Sequence, residues 1–167
     1  MPKKTPTGGA RPTALPLAAL LLATILLASA CSDSAKDTHP QQWLSKRKAV
    51  FKQFTATLEP LGLMARQRAP WDDAAFRTGA LELQRLSTQP WPYFTADGNY
   101  PPTRARPAVW ERPAEFKQAQ DDYLAAVAAL VAAAGRGGAE AGRPAVEQVE
   151  KACKACHDRF RNAAPGG

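Results

Sequence analysis

Cys153-Lys154-Ala155-Cys156-His157 gathers two thiols and an imidazole near the end of the chain. On a helix, positions i, i+3 and i+4 share one face, so both sulfurs and the ring can address one bound object. That set suits covalent haem attachment, in which two thiols add across two vinyl groups and the adjacent imidazole nitrogen ligates iron. Other chemistries fit less well. A zinc centre needs a fourth ligand, and the only other histidine is His39, far upstream. A thioredoxin-like dithiol calls for a strand before the motif in a βαβ unit, and no alternating strand pattern occurs here. A Cys153–Cys156 disulfide would close a loop too small to stabilise much, and it leaves His157 without a role.

Helices must carry this constellation. Trp43, Leu44, Val50, Phe51, Phe54 and Leu58 form one apolar stripe, with Lys46, Lys48 and Lys52 opposite or flanking it. Pro60 is expected to kink or interrupt that helix before it resumes through Met64. A second helix should start at Asp72 or Asp73, whose carboxylate can cap it, and run to about Ser87 with Phe76, Ala80, Leu83 and Leu86 inward. The third keeps three-four spacing from Phe116 to Ala134, with Pro113 in its first turn and Gly135, Gly137 and Gly138 ending it. A fourth is expected from about Pro144 and carries Val146, Val149, Cys153, Cys156 and Phe160. Between the second and third lies Gln89 to Arg112, whose prolines at 90, 92, 101, 102 and 107 exclude helix interior and central strand. The expected fold is all-α, an antiparallel up-down-up-down four-helix bundle with a long proline-rich loop between helices 2 and 3.

The start of the chain reads as an address. Lys3, Lys4 and Arg11 precede an apolar run from Leu15 to Leu27, and Ala28-Ser29-Ala30 then supplies small residues before Cys31. That is the pattern of a secretory signal peptide, and the run is shorter than the roughly 20 residues of a membrane span. Leu27 to Cys31 also resembles a bacterial lipobox, in which Cys31 becomes acylated, although Ala28 stands where leucine is commonest. Cleavage by the ordinary signal peptidase would instead leave Cys31 as a bare thiol, a liability in an oxidising compartment that acylation removes. Residues 1–30 are therefore expected to be a signal peptide and 31–42 a solvated, lipidated tether, able to reach about 35 Å when extended. Residues 43–162 would form the bundle and 163–167 a flexible tail. Ser32 after the cysteine implies, by the same resemblance, outer-membrane sorting from the periplasm.

Charge follows this division. The 167 residues carry 22 Lys+Arg against 15 Asp+Glu, a formal charge of +7, with 45% apolar residues. Without Lys3, Lys4 and Arg11 there are 19 bases against the same 15 acids, a balance of +4. Such a balance is no nucleic-acid footprint, so a nucleic-acid partner is not expected. No acid/base pair, nucleophile triad or phosphate loop occurs, so no enzymatic activity is expected.

Val149 to Arg161, Ala69-Pro-Trp-Asp-Asp-Ala-Ala75, Leu86-Ser-Thr-Gln-Pro-Trp91 with Phe94, Arg106-Pro-Ala-Val-Trp110 and Phe116-Lys-Gln118 together resemble cytochrome c′, the class II c-type cytochromes. The likeness spans roughly Lys46 to Arg161. It implies one covalent haem c on Cys153 and Cys156, with His157 as the iron's proximal ligand and Arg161 as the basic residue beside that face, where it could equally be a solvated charge stabilising the helix C-terminus. The family's first-helix pattern, like Arg-x-x-x-Met or Arg-x-x-x-Leu, falls on Arg47-Lys-Ala-Val-Phe51, which puts Phe51 over the opposite face. Phenylalanine has no donor atom, so the resemblance implies five-coordinate iron, electron transfer, and binding of nitric oxide or carbon monoxide. Two alternatives stay open: a dedicated nitric oxide scavenger or sensor, and a low-spin carrier with a sixth ligand such as Met64. An unidentified redox partner and a homodimer through the first two helices are also implied. Trp91, Phe94 and Trp110 are read as packing residues.

Overall fold

The computed structural model describes residue 1 and residues 36–163. The signal segment, the acylation site at Cys31 and the end of the tail lie outside the described residues. Helix α1 spans Trp43–Ala65, α2 Asp73–Leu86, α3 Ala108–Glu111, α4 Pro113–Arg136 and α5 Ala139–Phe160. A short 3₁₀ turn covers Trp91–Tyr93. No strand occurs among the described residues; a single antiparallel bridge joins Ala105 and Arg161. No helix among them is long and apolar enough to cross a membrane.

Helix starts follow local chemistry. The Asp72 carboxylate accepts from the amides of Ala74 and Ala75, at 2.8 and 3.0 Å, satisfying two of the first-turn donors of α2. Pro113 opens α4, where its missing N–H costs nothing. Two expectations are corrected. Helix α1 runs unbroken past Pro60, and α5 begins at Ala139 rather than near Pro144. Buried Leu61, Met64 and Ala65 hold the end of α1 against the core. Buried Gly142 and Ala145 do the same for the start of α5, so packing outweighs the lost proline hydrogen bond at each. Gly137 and Gly138, both at positive φ, make the tight turn between α4 and α5.

The four long helices form a ring. Helix α1 packs on α2 and α5, and α4 packs on α2 and α5. With short turns after α1 and α4, neighbours are antiparallel, and the start of α1, the end of α2, the start of α4 and the end of α5 gather at one end. The proline-rich loop closes that end, with its 3₁₀ turn against α1 and α3 against α4 and α5. The main core includes Phe76, Leu83, Leu86, Leu130, Val146 and Val149. A second cluster of Ala108, Val109, Phe116, Ala119 and Phe160 lies beneath α3.

The far end of the bundle is tightly packed. A Cβ on Gly142 would lie 2.2 Å from Cη2 and 2.4 Å from Cζ2 of Trp71. Gly142→Ala must therefore push the indole off α5, and a loss of about 1–3 kcal/mol in denaturant unfolding is expected.

Residues 36–42, expected as solvated tether, instead strap onto the bundle from Asp37 onward. Asp37 accepts from the Ser45 amide at 2.7 Å, the Tyr100 hydroxyl at 2.8 Å and the His39 amide at 3.2 Å. His39 stacks on Tyr100 and its Nε2 lies 3.0 Å from Asp97. Polarity alone concealed this, because the segment docks through hydrogen bonds and ring stacking, not through large apolar side chains. Desolvation raises the Asp37 pKa, yet these donors together hold it down to about 2, from 3.8. A depressed carboxylate pKa adds stability in full above the ordinary value and loses it as pH falls through the folded one. Hydrogen-exchange protection of the Ser45 amide should accordingly hold at neutral pH and fall between pH 3.8 and about 2. In Asp37→Asn it should be weak throughout.

Candidate functional site

Both cysteines sit on α5 and are half-buried and free. Cys153 packs against the main core and Cys156 against the second cluster. The motif thus lies where the two apolar clusters meet. Burial first, then Cys156 and Glu150, pushes the Cys153 thiol up to about 11; burial raises Cys156 too, against the pull of Arg159. Both sulfurs are therefore protonated thiols at neutral pH, unlike the activated thiolate a redox dithiol requires. Among the described residues no group of three or more His, Cys, Asp and Glu side chains is placed to hold a metal ion. His39, the remaining histidine, is bound to Asp97 and Tyr100 at the strap.

His157, next on the same face, is exposed. Partial desolvation, then Arg161 and Arg104, pull its pKa below the ordinary histidine value. Arg161 caps α5, and its Nη1 lies 3.5 Å from the His157 Nδ1. The structure thus brings Cys153, Cys156, His157 and Arg161 together on one helix end.

Facing this end from α1 is an aromatic array. Phe51, half-buried, meets Phe54, Trp91 and Phe94 edge-on, with ring centroids 5.4, 6.1 and 6.3 Å away. Trp91 continues to Phe116 and Tyr123, and Phe116 to Phe160 beside Cys156. Phe51 and Cys153 both pack on the main core. Arg47 does not enter the array as a free charge. It is buried, and its guanidinium donates to the carbonyl oxygens of Tyr93 and Gly98 and to Thr103 Oγ1, at 2.9–3.1 Å, while stacking 4.7 Å from the Phe94 ring.

Residues 42–161 match the family described as Cytochrome C′. The chain belongs to the cytochrome c′ family. It is 30% identical over 125 residues to cytochrome c′ of Alcaligenes xylosoxydans xylosoxydans, covering 73% of this chain and 94% of that protein. It is 33% identical over 146 residues to cytochrome c′ of Cereibacter sphaeroides, covering 85% and 96%. A nitric oxide complex of a mutant cytochrome c prime from Alcaligenes xylosoxidans superposes with a TM-score of 0.70 at 28% identity, covering 77% of this chain and all of that one.

Cytochrome c′ proteins carry one covalent haem c, so the chain is a monohaem c-type cytochrome. The residues present fit that group. Two neutral free thiols stand one helical turn apart, and the imidazole follows directly. The Trp91 Nε1 and Tyr123 hydroxyl, both inside the array, are buried with no hydrogen-bond partner. Outside that array, a groove of about 410 Å³ opens between α4 and α5 beside Cys156, where alanines alternate with Asp122, Gln148, Lys151 and Arg159. Tyr123 carries no mark of a site in the sequence, because on a helical stripe it is indistinguishable from core. Its unpartnered hydroxyl is the signal, and only the structure shows it.

Proposed function

We propose that this cytochrome c′-family protein keeps five-coordinate iron, binds nitric oxide and carbon monoxide, and exchanges single electrons with a partner, with no enzymatic activity of its own. In this reading Cys153 and Cys156 form the thioether links and His157 is the metal ligand. Bound haem supplies a one-electron valence change and a coordination position for a diatomic gas. The observation that carries the reading is the set of side chains opposite the cysteine-bearing helix end: Phe51, Phe54, Trp91 and Phe94 offer no good iron donor. Met64, the thioether that could ligate, lies 13 positions from Phe51 on one unbroken helix, about 20 Å along its axis. Lys48 and Lys52 are solvent-exposed. Nitric oxide complexes of the Alcaligenes xylosoxidans relative support the choice of ligand.

Phe51 governs access in this account. Its ring is held by three aromatic neighbours, so admitting a diatomic requires a rotamer change in packed surroundings. Phe51→Ala should speed carbon monoxide binding to the reduced protein by about tenfold or more, as about 1.4 kcal/mol of packing obstruction is removed. An unchanged rate removes Phe51 from this role. Arg161 and Arg47 act from the edges, the first beside the His157 ring and the second by fixing Phe94.

The same proposal places the mature protein in the periplasm, acylated at Cys31 and anchored to the outer membrane. Mass spectrometry of the membrane fraction tests it, since a diacylglyceryl cysteine adds a defined mass that a soluble mature form lacks. A homodimer through α1 and α2 belongs to this reading as well. Leu81 of α2, 50% exposed, is the large apolar side chain such a contact would cover.

A further inference from the structure

The end of the bundle that carries His157 is crowded with cations. Arg104 donates through Nε and Nη2 to the Asn162 carbonyl oxygen, at 3.3 and 2.8 Å, and Arg106 donates to the Asp158 carbonyl oxygen at 3.0 Å. Arg161 reaches only the His157 ring. None of the three has a carboxylate partner among the described residues. The carboxylates ion-paired beside them are already engaged, Asp158 by Lys154 and Glu115 by Arg112 and Arg159. With these paired neighbours the local cluster holds Arg104, Arg106, Arg112, Lys154, Arg159 and Arg161 against Asp158 and Glu115, and it is net positive.

Favourable placement of cations at a helix C-terminus explains why Arg106 reaches a carbonyl in the last turn of α5 and Arg104 one just beyond it. It does not explain why none of the three forms an ion pair. Beside the patch runs the α4–α5 groove, with Ala119, Ala126 and Ala152 along it and two cations, Lys151 and Arg159, against one anion, Asp122, in its lining. An apolar floor beside a charged rim is the anatomy of a transient protein contact.

We propose that this face, Arg104, Arg106, Arg161 and the adjoining groove, is the docking surface for a redox protein that presents a cluster of Asp and Glu side chains. The inference rests on the haem-bearing reading above and names the partner class for that site. Long-range attraction between opposite charges raises encounter rates and weakens as salt shortens the Debye length.

Two small redox probes of opposite charge read this field on the holoprotein: the ferricyanide anion and the tris(phenanthroline)cobalt(III) cation. Below about 10 mM ionic strength, oxidation by ferricyanide should fall with added salt and oxidation by the cobalt complex should rise. In Arg104→Gln/Arg106→Gln the ferricyanide rate at low salt should drop by about tenfold, with the cobalt rate moving the other way. Anisotropy of a fluorescein-labelled decaglutamate peptide provides a readout independent of electron exchange, and its low-salt affinity should fall in the same variant. Salt slopes of equal sign for both probes in the unaltered protein overturn the proposal whether or not the variant folds. So does a result in which phosphatidylglycerol vesicles capture the protein through Arg104 and Arg106 while peptide and probes ignore them, because the face is then a membrane contact. Haem mass measured on the same samples separates failure of this inference from failure of the haem assignment.

Discussion

Cys153→Ser/Cys156→Ser, expressed alongside the maturation machinery, should yield a folded polypeptide whose mass lacks the covalent pigment, with colour lost to acid-acetone extraction. Each single substitution should leave one link and a mixed, unstable product. The effect is all-or-none because the two sulfurs have no chemical substitute nearby: no other cysteine is present among the described residues. His157→Ala separates attachment from ligation. The thiols remain, so the pigment mass should persist while the ferric and ferrous spectra change. Full pigment mass in the double serine variant would remove both cysteines from the site.

The bundle was legible because its helices obey one period. Asp72, Pro113 and Gly137 mark ends that lie within a residue or so of those expected, and Phe76, Leu83 and Leu86 point where their spacing puts them. The errors share one cause. Pro60 is a local signal for a break and Pro144 for a start, whereas burial of neighbours such as Leu61 and Ala145 decides how far each helix runs. The docking of residues 37–42 was hidden for a related reason, since an Asp and a His become structural only when Tyr100, distant in sequence, arrives beside them.

The site divides along the same line. Cys153, Cys156 and His157 are contiguous, and a helix alone aligns them, so sequence sufficed to nominate them. Phe51 needed a resemblance, because an aromatic residue on a helical stripe carries no sign of which cavity it borders. The cationic face could not be read at all. Arg104 and Arg106 lie in the proline-rich loop, and only folding lays that loop against the end of α5.

Arg47→Met should lower stability by about 3 kcal/mol, more than any surface substitution here, seen as a lower denaturant midpoint with an unchanged slope. Arg47 is 3% exposed and stands on α1, while all its partners stand on the loop that closes the site. Burial lowers its pKa, and the charges of Tyr100 and Asp37 act the other way; a guanidinium stays protonated regardless. Methionine fills similar space without donors, stranding the oxygens of Tyr93, Gly98 and Thr103. Lysine should rescue little, since a single ammonium cannot span the Gly98 carbonyl and the Thr103 hydroxyl as a planar fork does. The backbone has accommodated that fork closely: a Cβ on Gly98 would fall 2.9 Å from Arg47 Nη1. Because the guanidinium also lies on Phe94, and Phe94 meets Phe51, the same variant should admit carbon monoxide faster although Phe51 is intact. An unchanged midpoint would show that the loop is held by its other contacts. A lower midpoint with an unchanged gas rate would show that Phe94 keeps its place without the stacked charge.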